Sequence, residues 1–275
     1  MPYCRVGDTE IYYEEAGEGT PIIMIHGYSP DHRLMSGCME PIFQNKKGWR
    51  RIYLDLPGMG KTKHYQRISS SDEMLEKVAS FIHTIIPNQA YAVAGESYGG
   101  YLTRGLLERE PEKILGAALI CPVIKPNFSE RTVEQHIVRQ EDNELKARLT
   151  AEEWDDFRSN NVILNSHTWE RYNKEIVSGC AVSDAEFLDK VKQRYAFSFD
   201  IDKSVFRSPA VILMGRQDDV VGYKDALATM ELFPEGSFAV LDSAGHNLQI
   251  EQPDIFQASI NDWVNRMEYT IGSKA

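Results

Sequence analysis

Cysteine is scarce and dispersed in this 275-residue chain: Cys4, Cys38, Cys121 and Cys180, with no Cys-x-x-Cys pair. Such spacing supports neither a disulfide framework nor a zinc site and predicts reduced thiols, as in a cytosolic protein. Positive charge is in deficit, with 30 Lys and Arg against 41 Asp and Glu, which leaves a net charge of -11. Phosphate contacts need clustered cations, so neither nucleic acid nor an anionic membrane is an expected partner. Apolar runs are short, and none nears the roughly 20 residues of a membrane span. Residues 1–10 show no basic head followed by an apolar stretch. Membrane insertion and secretion are thus disfavoured, and a cytoplasmic location is expected. There is no internal repeat, and no His, Cys and carboxylate cluster stands at ligand spacing, so neither a metal nor another cofactor is expected.

What remains is an ordinary globular composition, 42% apolar and 26% charged, in a length that fits one α/β domain carrying an insertion. Disorder is expected only at residues 271–275. Residues 3–15 read as a hairpin turning at Gly7-Asp8-Thr9. Pro21-Ile22-Ile23-Met24-Ile25 is apolar on both faces, as a central strand of a parallel sheet should be. A helix within 31–44 is expected to be short or broken, because Gly37 and Pro41 interrupt it. Arg51-Ile52-Tyr53-Leu54 is another strand. Ser70 and Glu73 form a capping box before an amphipathic helix that Pro87 ends, and residues 114–123 give a further buried strand.

Residues 124–205 differ: 28 of these 82 are charged and no strand-like apolar run occurs, so the segment reads as a mostly helical insertion. Capping boxes at Thr150/Glu153 and Ser183/Glu186 mark two of its helices. Alternation then resumes with a strand at 209–215, a helix at 222–233, a strand at 237–241 and a last helix opened by Pro253. Apolar strands alternating with amphipathic helices imply a mainly parallel sheet covered on both faces.

The chain is organised around residues 90–107. A short apolar run leads into Gly95-Glu96-Ser97-Tyr98-Gly99-Gly100, after which Tyr98, Tyr101, Leu102 and Gly105 recur at helical spacing. Strand, sharp turn and helix in that order place a serine hydroxyl clear of the backbone at a helix N-terminus. Ligands of open α/β sheets bind beyond the carboxyl ends of the strands. The polar residues that directly follow apolar runs are His26, Asp55, Ser97, Asp218, Asp219 and the stretch 242–246 ending in His246. A serine attacks only when an imidazole takes its proton, and the imidazole needs a carboxylate to hold its tautomer. Ser97, an acid at 218 or 219, and His246 supply that set in the order Ser, Asp, His.

With these motifs in register the sequence resembles a capped, single-domain α/β-hydrolase. The resemblance rests on His26-Gly27-Tyr28, Asp55-Leu-Pro-Gly-Met-Gly60, Gly95-Glu-Ser-Tyr-Gly99, Gly215-Arg-Gln-Asp218 and Gly245-His246-Asn-Leu-Gln-Ile-Glu-Gln-Pro253. It implies an α/β-hydrolase fold: a mostly parallel eight-stranded sheet, helices on both faces and a helical lid. The core would comprise residues 1–123 and 206–275 and the lid residues 124–205. It also implies that Ser97 is the nucleophile, His246 the base and Asp218, three residues after a strand-ending glycine, the orienting acid. The backbone N-H groups of Tyr28 and Tyr98 would form the oxyanion hole. His26 would brace the oxyanion turn, and Asp55 is expected to stabilise a turn. Glu96 receives no role and is expected to be exposed or to tune the site. His32, His64, His83, His136 and His167 are expected to be solvent or packing residues, with His136 and His167 also candidates to line the pocket. Gly58-Met-Gly60-Lys61-Thr62 imitates a phosphate loop but has Asp55 where that motif needs glycine. The expected partner is a small carboxylic ester, thioester or lactone, and a carbon-carbon bond hydrolase or a non-catalytic binder on the same scaffold are the alternatives. Oligomeric state is left open.

Overall fold

Ile22, Ile23, Met24 and Ile25 are wholly buried, and the same holds for the run Tyr91, Ala92, Val93 and Ala94. Strands apolar on both faces can only sit inside a sheet that is covered on both sides. The computed structural model describes residues 3–273. Its strands are β1 (Tyr3–Val6), β2 (Thr9–Ala16), β3 (Thr20–Ile25), β4 (Trp49–Leu54), β5 (Tyr91–Glu96), β6 (Ile114–Ile120), β7 (Gln140–Glu141), β8 (Ile163–Leu164), β9 (Ala210–Gly215) and β10 (Gly236–Leu241). Eight of them form one sheet in the order β1-β2-β4-β3-β5-β6-β9-β10. The β1-β2 hairpin and the β2-β4 pair are antiparallel and the rest parallel. The helices Ser71–Ile85 and Tyr98–Arg109 pack together, as do His32–Phe43 and Pro253–Gly272.

Several local expectations need correction. The helix expected to break at Pro41 runs whole over His32–Phe43, because Asp31 caps it by accepting from the Arg33 amide and Leu34, Met35, Cys38, Met39 and Phe43 are buried along it. At 222–233 there is instead a four-residue helix, Lys224–Leu227, and a separate turn of 3-10 helix at Met230–Leu232. The cap at Ser183 lies one residue on, where Asp184 accepts from the Phe187 amide. Ser70 caps its helix as expected, but Glu73 folds back on Ser69 rather than completing a box with Ser70. The Thr150/Glu153 box is complete. The chain end is helical through Gly272, with Ile271 packed on the core, so of the stretch 271–275 only residues 274–275 lie outside the described residues.

The segment between β6 and β9 folds as short helices around its own apolar cluster of Leu145, Trp154, Phe157, Leu164 and Tyr172, to which Ile250 is added from the rest of the chain. Contrary to the expectation of no strands, β7 and β8 pair there in a two-residue parallel ladder. Those residues carry no apolar alternation, so nothing in the local pattern announces the pairing.

Candidate active site

Ser97 follows β5 directly and opens the helix Tyr98–Arg109 with φ 51° and ψ −111°. Such a backbone is costly for a residue with a side chain and persists only when its surroundings hold it. Here the Ser97 amide donates to the Ile120 carbonyl at 2.9 Å, and its own carbonyl accepts from Tyr101 and Val123 at 3.1 Å each. The helix can approach β3 only because position 99 is glycine: a Cβ there would run into the Ile25 carbonyl oxygen.

Three side chains from distant parts of the chain meet at this turn. His246 Nε2 lies 2.9 Å from Ser97 Oγ, and His246 Nδ1 lies 2.9 Å from Asp218 Oδ2. The other Asp218 oxygen accepts from the amides of Val220 and Val221 at 2.9 Å each. With its proton on Nδ1 donated to Asp218, the imidazole presents Nε2 as acceptor for the serine hydroxyl. Asp218 is wholly buried, which alone would raise its pKa, but the His246 charge and hydrogen bond and the two amides hold it below the usual carboxylate range. For His246, burial works against the cation, yet the charge and hydrogen bond of Asp218, followed by the charges of Glu96 and Asp219, lift its pKa to about 9. Asp219, the rival acid, is turned away, with a carboxylate oxygen 3.5 Å from His136 Nδ1.

His26 is buried, with Nδ1 2.8 Å from the Gly27 carbonyl and Nε2 accepting from the Leu56 amide at 3.0 Å. Burial pushes its pKa down, which suits a neutral brace between the two turns. Asp55 accepts from the His32 amide, His32 Nδ1 and the Lys61 amide, each at 2.8 Å. Among the described residues, neither the Tyr28 nor the Tyr98 amide donates to an acceptor within the chain. The Tyr98 ring is buried against Tyr28 and Tyr195, and its hydroxyl donates to Ser71 Oγ at 2.8 Å, so the ring packs while the amide remains free. His136 bonds the Arg158 carbonyl and His167 is exposed; neither lines the cavity at Ser97.

Of the two expectations for Glu96, exposure fails and a place beside the site holds. It is 2% exposed, with Oε1 3.4 Å from His246 Nε2, and a Cβ on Gly27 would clash with its Oε2. Burial, countered by the His246 charge and then reinforced by Asp218, raises its pKa to about 7. The signal that was available is the two-sided apolar character of β5, since a residue closing such a strand is buried whatever its own polarity. Among the described residues, two groups of potential metal-ligating atoms lie close together, Cys121 with Asp218 and His246, and Asp31 with His32 and Asp55. Asp218 pairs with His246 and Asp55 with His32, while Asp31 accepts from the Arg33 amide and guanidinium, so each carboxylate already has partners.

A cavity of about 1530 Å³ opens over Ser97 and His246. Gly27, Tyr28 and Glu96 line it from the sheet edge, and Asp156, Trp169 and Tyr172 line it from the inserted segment.

Residues 20–253 match the alpha/beta hydrolase fold family. This chain belongs to that family. The alpha/beta superfamily hydrolase from Oenococcus oeni PSU-1 is 32% identical and superimposes with a TM-score of 0.89 over 98% of this chain and 100% of that one. The 2-hydroxy-6-oxo-6-(2'-aminophenyl)hexa-2,4-dienoic acid hydrolase of Metapseudomonas resinovorans is 23% identical, covering 96% of this alpha/beta hydrolase and 90% of the relative. A thermophilic esterase from Thermogutta terrifontis, at 17% identity and a TM-score of 0.67 over 94% of each chain, shares the fold. Its relatives across the superfamily support a hydrolase. Among the described residues, no helix is long and apolar enough to cross a membrane.

Proposed function

We propose that this alpha/beta hydrolase is a serine hydrolase that transfers the acyl group of a small carboxylic ester, thioester or lactone to water. Ser97 is the nucleophile, His246 the general base and then acid, and Asp218 the group that orients and stabilises the imidazolium. The observation that carries the reading is the unbroken relay from Ser97 Oγ through His246 to Asp218, with 2.9 Å at each step. In the first half-reaction His246 Nε2 takes the serine proton as Oγ attacks the carbonyl carbon, and the carbonyl oxygen becomes an anion held by the Tyr28 and Tyr98 amides. His246 then returns the proton to the leaving oxygen or sulfur. Water, deprotonated by the same nitrogen, releases the acyl group and restores Ser97. Residues 124–205 act as a cap that roofs the cavity and sets substrate size, over a core of residues 1–123 and 206–275.

Carbon-carbon bond hydrolysis is the second reading, favoured by the full-length similarity to the dienoic acid hydrolase. The cavity argues for a neutral substrate instead. Glu96, Glu152, Glu153 and Asp156 line it against the cations Arg131, Lys192 and protonated His246, of which Arg131 donates to backbone carbonyls and Lys192 is exposed. A dienoate would meet more negative than positive charge there.

The test is a panel of p-nitrophenyl esters of increasing chain length, acyl thioesters, lactones and vinylogous diketones, run on the wild type and Ser97→Ala. Ester or thioester turnover that is lost in Ser97→Ala, together with loss of fluorophosphonate labelling, is the expected result. Turnover of diketones alone would replace the ester reading by the second one, and persistence of activity in Ser97→Ala would remove the triad.

A further inference from the structure

The loop that carries His246 is tied to the inserted segment in part through one buried carboxylate. Glu251 is 6% exposed and makes no ion pair among the described residues. Its Oε1 accepts from the Val162 amide at 2.5 Å and the Ile163 amide at 3.3 Å, both in the segment between β6 and β9. Its Oε2 accepts from the Gly245 amide at 2.6 Å, the residue immediately before His246. We infer that Glu251 is a positioning residue which locks the cap onto the catalytic-histidine loop, so that His246 is held against Ser97 only while the cap is docked.

This inference rests on the serine hydrolase reading and concerns a residue that reading leaves without a role. Two further bridges cross the same junction. Asn247 Nδ2 donates to the Asn160 carbonyl at 3.0 Å and to Asn161 Oδ1 at 3.1 Å, and Arg171 donates to the Gln249 carbonyl at 3.0 Å while its fork grips Glu175. Asn247, Gln249 and Glu251 are therefore each bonded across the junction, and Gly245 is held through Glu251. Packing is close as well: a Cβ on Gly245 would meet Val162 Cγ2 at 2.9 Å.

The residue type matters because only a carboxylate has two acceptor oxygens and no donor. A glutamine in its place could accept on one side only, and its NH₂ would face an N-H on the other. An aspartate would retain the charge but, being one methylene shorter, could not span both partners. General-base catalysis loses rate steeply when its geometry is off by about an ångström, so either change is expected to act on turnover rather than on binding.

The experiment compares wild type, Glu251→Gln and Glu251→Asp on p-nitrophenyl acetate and octanoate. Each preparation is standardised by exhaustive fluorophosphonate titration, so that misfolded protein is not counted. The expected result is a kcat per titrated site lower by about tenfold or more in both variants, to a similar degree on both esters, with KM changed by less than about threefold. If one variant does not fold, the other carries the same expectation. Wild-type kcat per titrated site, or a rise in KM confined to octanoate, would overturn the inference. Ser97→Ala in parallel separates the two claims: its retained activity defeats the triad, whereas its inactivity together with a fully active Glu251→Gln defeats only the lock.

Discussion

Replacing Glu96 by glutamine removes a buried negative charge beside the His246 imidazole, the proposed base, while keeping the side chain's shape against Gly27. At the observed 3.4 Å, opposite unit charges in a medium of effective dielectric near 20 attract by about 5 kcal/mol, which is a ceiling. The realised contribution is smaller. His246 rises from 6.5 to about 9 against the cost of burial, with Asp218 leading through charge and hydrogen bond and Glu96 next. Glu96 therefore supplies a lesser part of that rise than Asp218 does. The sign is fixed by the mechanism, which needs neutral His246. Loss of the Glu96 charge lowers the histidine pKa, so the acid limb of kcat/KM moves to lower pH in the variant. Below about 7 the wild-type Glu96 is itself protonated and the two profiles converge. The assay is a pH-stat titration of acid released from a simple ester between pH 5 and roughly pH 10, with active sites counted by fluorophosphonate. An acid limb in Glu96→Gln that stays in place, or moves to higher pH, would refute the electrostatic argument.

Asp218→Asn is expected to lower kcat by about 10⁴, whereas Asp219→Asn stays within a few-fold of wild type, because only Asp218 bonds the imidazole; steady-state kinetics on both variants decides this. Gly99→Ala pushes a methyl into the Ile25 carbonyl oxygen and so displaces the turn that holds Ser97; fluorophosphonate labelling is expected to be lost and the melting temperature lowered. Phe157 is fully buried against Trp154, Trp169 and Tyr172, and Phe157→Ala is expected to cost about 3–5 kcal/mol in the segment proposed as the cap. Faster proteolysis within residues 124–205 than in the sheet would report it.

The elbow at Ser97, the two-sided strands β3 and β5, and the order of Ser97, Asp218 and His246 were legible because each is written in neighbouring residues. Glycine spacing, runs of apolar side chains and strand-end polar groups are local signals with local physical causes. The choice between Asp218 and Asp219 was open on residue type alone and came from resemblance; the fold turns one carboxylate to the imidazole and the other to His136. Elements set by tertiary packing failed for the opposite reason. The helix at Lys224–Leu227, the unbroken helix through Pro41 and the β7-β8 ladder are decided by packing that outweighs propensity over a few residues.

The amino-acid order determined the family, the sheet's core strands and the three groups that meet at the strand ends, since these follow from periodicity, turn chemistry and the rule that sites form beyond the carboxyl edge. Only the tertiary structure decided that Glu96 is buried against His246 and that Glu251 joins the His246 loop to residues 162 and 163. A carboxylate's pKa and partners depend on what is folded around it, here including groups 89 positions away in the chain. No neighbouring residue carries that information.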